Sequence, residues 1–135
     1  MHLLCNCVKV QLVTIRPNAD QFAALVNAPD DGPVVMVNLL KFKAEQAYER
    51  YGRAATAMVQ ERGGRLLWLG RVEQVLIGDV DGDAWDAVAL VEYPSRQAFI
   101  DMVSTREYQA AHSHREEGLE RTVVLATVAR DRRPA

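Results

Sequence analysis

The sequence predicts an α+β fold: a four-stranded antiparallel sheet with two principal helices on one of its faces. Three observations predict it. Val-rich apolar runs at residues 33–42 (PVVMVNLLKF) and 85–93 (WDAVALVEY) read as buried strands. Stretches with helical spacing of apolar residues at 45–62 and 95–114 separate strand-like segments in the order strand, helix, strand, strand, helix, strand. The strands are apolar at both parities, so neither face of the sheet is expected to meet water.

Residues 8–15 alternate weakly and can form a short edge strand. Asn18 is placed to cap a short helix, with Gln21 three positions on in capping-box position. Phe22, Leu25 and Val26 give that helix an apolar stripe before Pro29 and Gly32 end it. Residues 1–32 are therefore an N-terminal extension to a domain at 33–128, and the charged residues 129–135 form a tail expected to be disordered. The first strand opens after Asp-Gly-Pro and carries one amide, Asn38, in its centre. The helix at 45–62 places Tyr48, Tyr51, Ala55, Met58 and Val59 on one side and stops at Gly63-Gly64, where a left-handed residue is needed.

Residues 65–77 (RLLWLGRVEQVLI) read as a long second strand with a bend or bulge at Gly70. The polar turn at 79–84 joins it to the third strand as an antiparallel hairpin. Ser95 caps the next helix, whose buried stripe is Ala98, Phe99, Met102 and Val103. Ser104-Thr105-Arg106-Glu107 reads as a second capping box that restarts the chain into a helix reaching about His114. Residues 121–128 (RTVVLATV) form the last strand. This element order is the split βαβ, or ferredoxin-like, arrangement βαββαβ. Its bare sheet face, apolar rather than alternating, is expected to be covered by a second subunit in a twofold dimer.

Composition excludes several function classes. The chain has 135 residues, 49% hydrophobic and 25% charged, with a net charge of −2 and mixed signs, so no nucleic-acid partner is expected. No apolar run approaches the roughly 20 residues of a membrane helix. The opening MHLLCNCVKVQLV has neither a basic leader nor a small-residue cleavage site, and the expected location is the cytoplasm. Cys5 and Cys7, with His2 as a third candidate, do not complete a four-ligand zinc site and read as free thiols. Asp79, Asp81 and Asp83 suggest a calcium loop, but Ala84 and Leu90 stand where glycine and glutamate are required.

With PVVMVNLLKF, Gly63-Gly64-Arg65, WDAVALVEYPS and STREYQAA in place, the chain resembles the domain-of-unknown-function "thirteen-thirty" family of the dimeric α/β-barrel superfamily. The resemblance runs from about Asn18 to Val128. It implies a ferredoxin-like subunit and a sheet-to-sheet homodimer. It implies no reaction, since relatives in the superfamily include cofactor-free monooxygenases, lactone isomerases, haem enzymes and ligand-sensing domains.

The candidate site residues are few. Asn38, an amide in an apolar strand, needs a partner and can orient a ligand carbonyl or hydroxyl, or else bond a neighbouring loop. Tyr48, Tyr51 and Trp68 are aromatics with polar handles able to line a pocket for a flat molecule. His112 shares a helix face with Tyr108 and is the candidate general base, whereas His114, two residues on, points elsewhere. Arg115 and Arg106 are candidates for a substrate carboxylate. Glu92 sits deep in its strand and calls for a partner such as Lys41 or Arg71, or stands as a raised-pKa acid. No nucleophile triad, phosphate loop or metal set can be assembled, so no cofactor is expected; a haem would have only His112 as axial ligand. The function expected is a homodimer that binds a small organic molecule, as a cofactor-free monooxygenase or isomerase, with a non-catalytic metabolite-binding or structural module as the alternative.

Overall fold

The computed structural model describes residues 15–130. The expected edge strand at 8–15, apart from Ile15, the two cysteines and the end of the charged tail lie outside those residues. The elements are α1 (Ala19–Asn27), β1 (Val34–Phe42), α2 (Glu45–Glu61), β2 (Arg65–Arg71), β3 (Ala87–Tyr93), α3 (Arg96–Val103), α4 (Arg106–Gly118) and β4 (Leu119–Thr127). The sheet is antiparallel throughout, in the order β2-β3-β1-β4. This is the ferredoxin-like topology read from the sequence.

Local chemistry sets the element ends. Asn18 accepts from the Gln21 amide at 2.8 Å while the Gln21 side chain accepts from the Asn18 amide at 2.9 Å, a complete capping box. At the end of α2, Gly63 takes φ 80°. Its amide bonds the Gln60 carbonyl and that of Gly64 the Val59 carbonyl, closing the helix as a Schellman motif. Ser95 caps α3, and the Asp30 carboxylate adds bonds from the Arg96 and Gln97 amides at 2.8 and 3.1 Å. The extension before β1 is thereby stitched to the domain at the positive end of a helix.

Several details differ from expectation: the last helix runs on to Gly118 and not to about His114, and the last strand starts at Leu119 and not at Arg121. The cap of α4 is Thr105, whose hydroxyl accepts from the Tyr108 amide, rather than Ser104, whose hydroxyl donates back to Ile100. β2 stops at Arg71, because its partner β3 begins only at Ala87. The residue before it, Asp86, is drawn to β1: its amide donates to the Leu40 carbonyl, and its carboxylate accepts from the Phe42 amide. The bulge in β2 falls at Leu67, between Leu66 and Trp68, while Gly70 pairs regularly with Val88.

Register assigns the two faces. Toward the helices point the rows Leu66–Val91–Met36–Ala126, Leu69–Ala89–Asn38–Val124 and Arg71–Ala87–Leu40–Thr122. Away from them point Trp68–Leu90–Val37–Leu125 and Gly70–Val88–Leu39–Val123. The core between sheet and helices is split in two. Val34, Met36, Val59, Tyr93, Met102 and Tyr108 form one cluster. Leu40, Ala87, Ala89 and Leu119 form the other. A small domain usually has one contiguous core; here Asn38 stands on β1 between Met36 of the first cluster and Leu40 of the second.

Candidate functional site

An opening of about 1940 Å³ lies against the sheet and helices α2 and α4, and its lining reaches Val123 and Leu125 of the outward rows. It is wider than an ordinary ligand pocket of roughly 300–1,000 Å³, because the helices leave the edge strands uncovered and Leu66, Leu69 and Val124 stay exposed. Its walls bring together Asn38 from β1, Tyr48 and Tyr51 from α2, and Tyr108, His112 and Arg115 from α4. The spacing explains the convergence: 48 and 51, and 108, 112 and 115, each share a helix face.

Asn38 is held by strand backbone and not by a neighbouring loop. Its Nδ2 donates to the Met36 carbonyl at 3.2 Å and to the Ala89 carbonyl at 3.3 Å. The residue nevertheless lines the open cleft rather than a filled core.

The aromatic residues form a continuous wall. Ring centroids are 5.3 Å apart for Phe42–Tyr48, 5.5 Å for Tyr48–Tyr51, 6.0 Å for Tyr51–Tyr108 and 5.7 Å for Tyr108–His112. The Tyr51 and Tyr108 hydroxyls share a hydrogen bond of 2.7 Å. Burial pushes the Tyr48 hydroxyl up to about 12 and raises Tyr51 and Tyr108 as well. These phenols are therefore neutral donors at physiological pH and not bases.

His112 is buried, and its Nδ1 lies 3.7 Å from a Glu116 oxygen, too long for a hydrogen bond. Burial, and then the positive charges of Arg16 and Arg115, lower its pKa below the ordinary value. A neutral imidazole at physiological pH follows, which is the form a general base requires. Glu116 itself is committed to Arg16, which grips both carboxylate oxygens at 3.0 and 3.1 Å and also donates to Gln109 at 3.0 Å. Sequence reading missed this clamp, since its partners stand 100 residues apart and no local pattern links them.

It also missed Gly118. A Cβ there would come within 2.6 Å of the Tyr48 amide nitrogen, and the Gly118 carbonyl accepts from the Lys43 and Ala44 amides. Glycine lets the end of α4 touch the start of α2, and this contact places Tyr48.

Two candidates lie elsewhere. The bulge at Leu67 reverses parity, so Trp68 turns to the opposite face, 61% exposed, and Leu69 takes its place beside the cleft. Glu92 is also on that face, bonded to Arg65 at 3.1 Å; Lys41 pairs with Asp86 and Arg71 with Glu73 instead. Arg106 does not line the cleft. His112 and His114 do not converge, and among the described residues no cluster of three metal-ligating side chains exists. Asp79 and Asp83 accept from backbone amides of their own loop, as a turn does.

The model of the family described as "Domain of unknown function (DUF1330)" matches residues 34–129. The chain belongs to that family. Among curated proteins no sequence matches it significantly. The RPA0582 protein of unknown function from Rhodopseudomonas palustris is 32% identical, with TM-score 0.77, over 84% of this chain and 94% of that one. SnoaB, a cofactor-independent oxygenase from Streptomyces nogalater, shares the fold at 17% identity and TM-score 0.53, over 78% of this chain and 100% of that one. A dimeric ferredoxin-like protein of unknown function from Thermobifida fusca shares it at 10% identity and TM-score 0.51, over 73% and 92%. The family match begins at β1, so α1 and the Arg16 clamp stand outside it.

Proposed function

We propose that the protein is a cytoplasmic homodimer, joined through the open sheet face, that binds a small, partly apolar organic molecule in the cleft between sheet and helices. The observation that carries the reading is the split core. A chain of this size ordinarily closes its core, yet here Asn38, the tyrosine wall, His112 and Arg115 face a shared opening. The catalytic form of this reading gives His112 the role of base. Neutral imidazole would take a proton from the bound molecule, the step common to isomerisation and cofactor-free oxygenation, while Tyr51 and Tyr108 donate to a substrate oxygen. The description of SnoaB as a cofactor-independent oxygenase agrees with this class at the level of fold.

One observation favours the alternative, a binding module without chemistry. An effective imidazole base is oriented by an acceptor at its other nitrogen. The Nδ1 of His112 has no hydrogen-bond partner among the described residues, and Glu116 is turned toward Arg16.

Two support arguments underlie the dimer. The two central outward rows are apolar, with Arg65, Glu92 and Thr127 in the row beside them, and Trp68, Val123 and Leu125 remain exposed. The Thermobifida fusca neighbour is described as dimeric.

Native mass spectrometry of protein purified from cells, recorded gently and then after denaturation, tests the function. A dimer carrying non-covalent mass that denaturation releases is the expected result. A monomer without adduct contradicts it.

A further inference from the structure

We propose that the ligand of the cleft is an organic carboxylate, its charged end on the Arg115 guanidinium and its flat apolar body along the tyrosine wall. This rests on the reading of the cleft as a ligand site and names the class of molecule it takes.

Arg115 is a charge with no counter-charge among the described residues. Arg115 is only 5% exposed, and a guanidinium stays protonated at any physiological pH. Buried charges in proteins are paired. The partners of Arg115 are all neutral: the Ile15 carbonyl at 3.1 Å, the Thr122 hydroxyl at a long 3.5 Å, and the face of the Tyr51 ring, 5.8 Å from its centroid. Among the described residues it enters no ion pair. The two carboxylates that follow it on α4 are engaged elsewhere, Glu116 with Arg16 and Glu117 with Arg50. The residues before Ile15 contain no Asp or Glu.

A guanidinium presents five donors in a planar fork that matches a carboxylate. Two neutral acceptors leave part of that fork unmatched, and Arg115 lines the cleft. The adjoining hydroxyls add to the excess of donors. Tyr51 and Tyr108 share one hydrogen bond, so one of their two protons remains to be given. The same cleft is lined by apolar Met36, Val91 and Leu69 as well as by the tyrosines. Charge at one end and apolar surface along the rest describe an amphiphilic acid.

The test uses the full chain with two matched probes, naphthalene carboxylate and its neutral analogue naphthalene carboxamide, titrated by calorimetry. The wild type is expected to bind the carboxylate at least about tenfold more tightly. Arg115→Met should reduce that ratio to about one, with the carboxamide unaffected, and Arg115→Lys should retain part of it. The Arg115 Nε–H resonance in proton–nitrogen correlation spectra should shift with the carboxylate and stay in place with the carboxamide. Equal binding of both probes to the wild type, or an unmoved Arg115 resonance, overturns the carboxylate assignment and leaves the ligand site standing. Failure of both probes to bind at millimolar concentration counts against the ligand site itself. If Arg115→Met does not fold, the wild-type ratio and the resonance decide the matter.

Discussion

The two faces of this sheet differ in where their polar residues sit. The face under the helices, where a continuous apolar core is normally found, carries Asn38, Thr122 and Arg71 and looks onto tyrosines, a histidine and an arginine. The face with no helix over it carries Val37, Leu39, Val88, Leu90, Val123, Leu125 and Trp68. Polar groups thus stand inside among apolar rows, while the outer face is apolar in its central rows and polar at Arg65 and Glu92. The proposed ligand and second subunit would meet these two surfaces. Hydropathy in this chain therefore does not by itself say which face is buried within the subunit.

Substitutions on either face are expected to separate their roles. The largest effect is expected on the helix side, at the contact of α4 with α2. Gly118→Ala places a methyl against the Tyr48 backbone, where neither chain can yield easily. A loss of about 3 kcal/mol in urea unfolding is expected, with dimerisation of the folded fraction retained. On the other face, Trp68→Ala should raise the dimer dissociation constant roughly thirtyfold, about 2 kcal/mol, in sedimentation measurements, and leave ligand binding in the cleft unchanged.

Tyr51→Phe sharpens the inner face. It removes one hydroxyl of the 2.7 Å pair and should cost about 1 kcal/mol in unfolding free energy. The smallest effect concerns pH. The folded-state pKa of His112 is lowered, chiefly by burial and then by Arg16 and Arg115, so the unfolded chain binds its proton first as pH falls. Its contribution is present above the unfolded value near 6.5 and is lost as pH falls from there through the lower folded value. The carboxylate of Glu116, also lowered, by Arg16 first, adds a loss at still more acid pH, damped by its exposure. His112→Gln should flatten the first of these slopes in urea titrations between pH 7 and 5 and leave the second.

Much of the fold was legible because its signals are local. Asn18 with Gln21, Gly63 with Gly64, and Ser95 each mark an element end through bonds to residues within a few positions. The shared face of Tyr108 and His112 was legible for the same reason, since helical spacing aligns them. Arg115 was read apart from them, together with Arg106. The side of Trp68 was not. A bulge in a strand apolar at both parities leaves no break in pattern, so the reversal at Leu67 is invisible until β2 is paired with β3. The Arg16 clamp and the Asp30 bonds to α3 depend on where the extension runs after folding, and nothing in residues 15–32 encodes the distant acceptors and donors. Glu92 illustrates the same limit: its partner Arg65 is its cross-strand neighbour, fixed by register rather than by sequence distance.

Residues 124 and 125 are adjacent in sequence and lie on opposite faces, Val124 beside Asn38 and Leu125 in the row of Val37, Leu90 and Trp68. Sedimentation equilibrium of Val124→Glu and Leu125→Glu beside the wild type therefore tests the central claim most directly. The account predicts a dimeric wild type, a dimeric Val124→Glu and a monomeric Leu125→Glu that keeps its fold. A monomeric wild type, or dissociation by Val124→Glu with Leu125→Glu still dimeric, would contradict it.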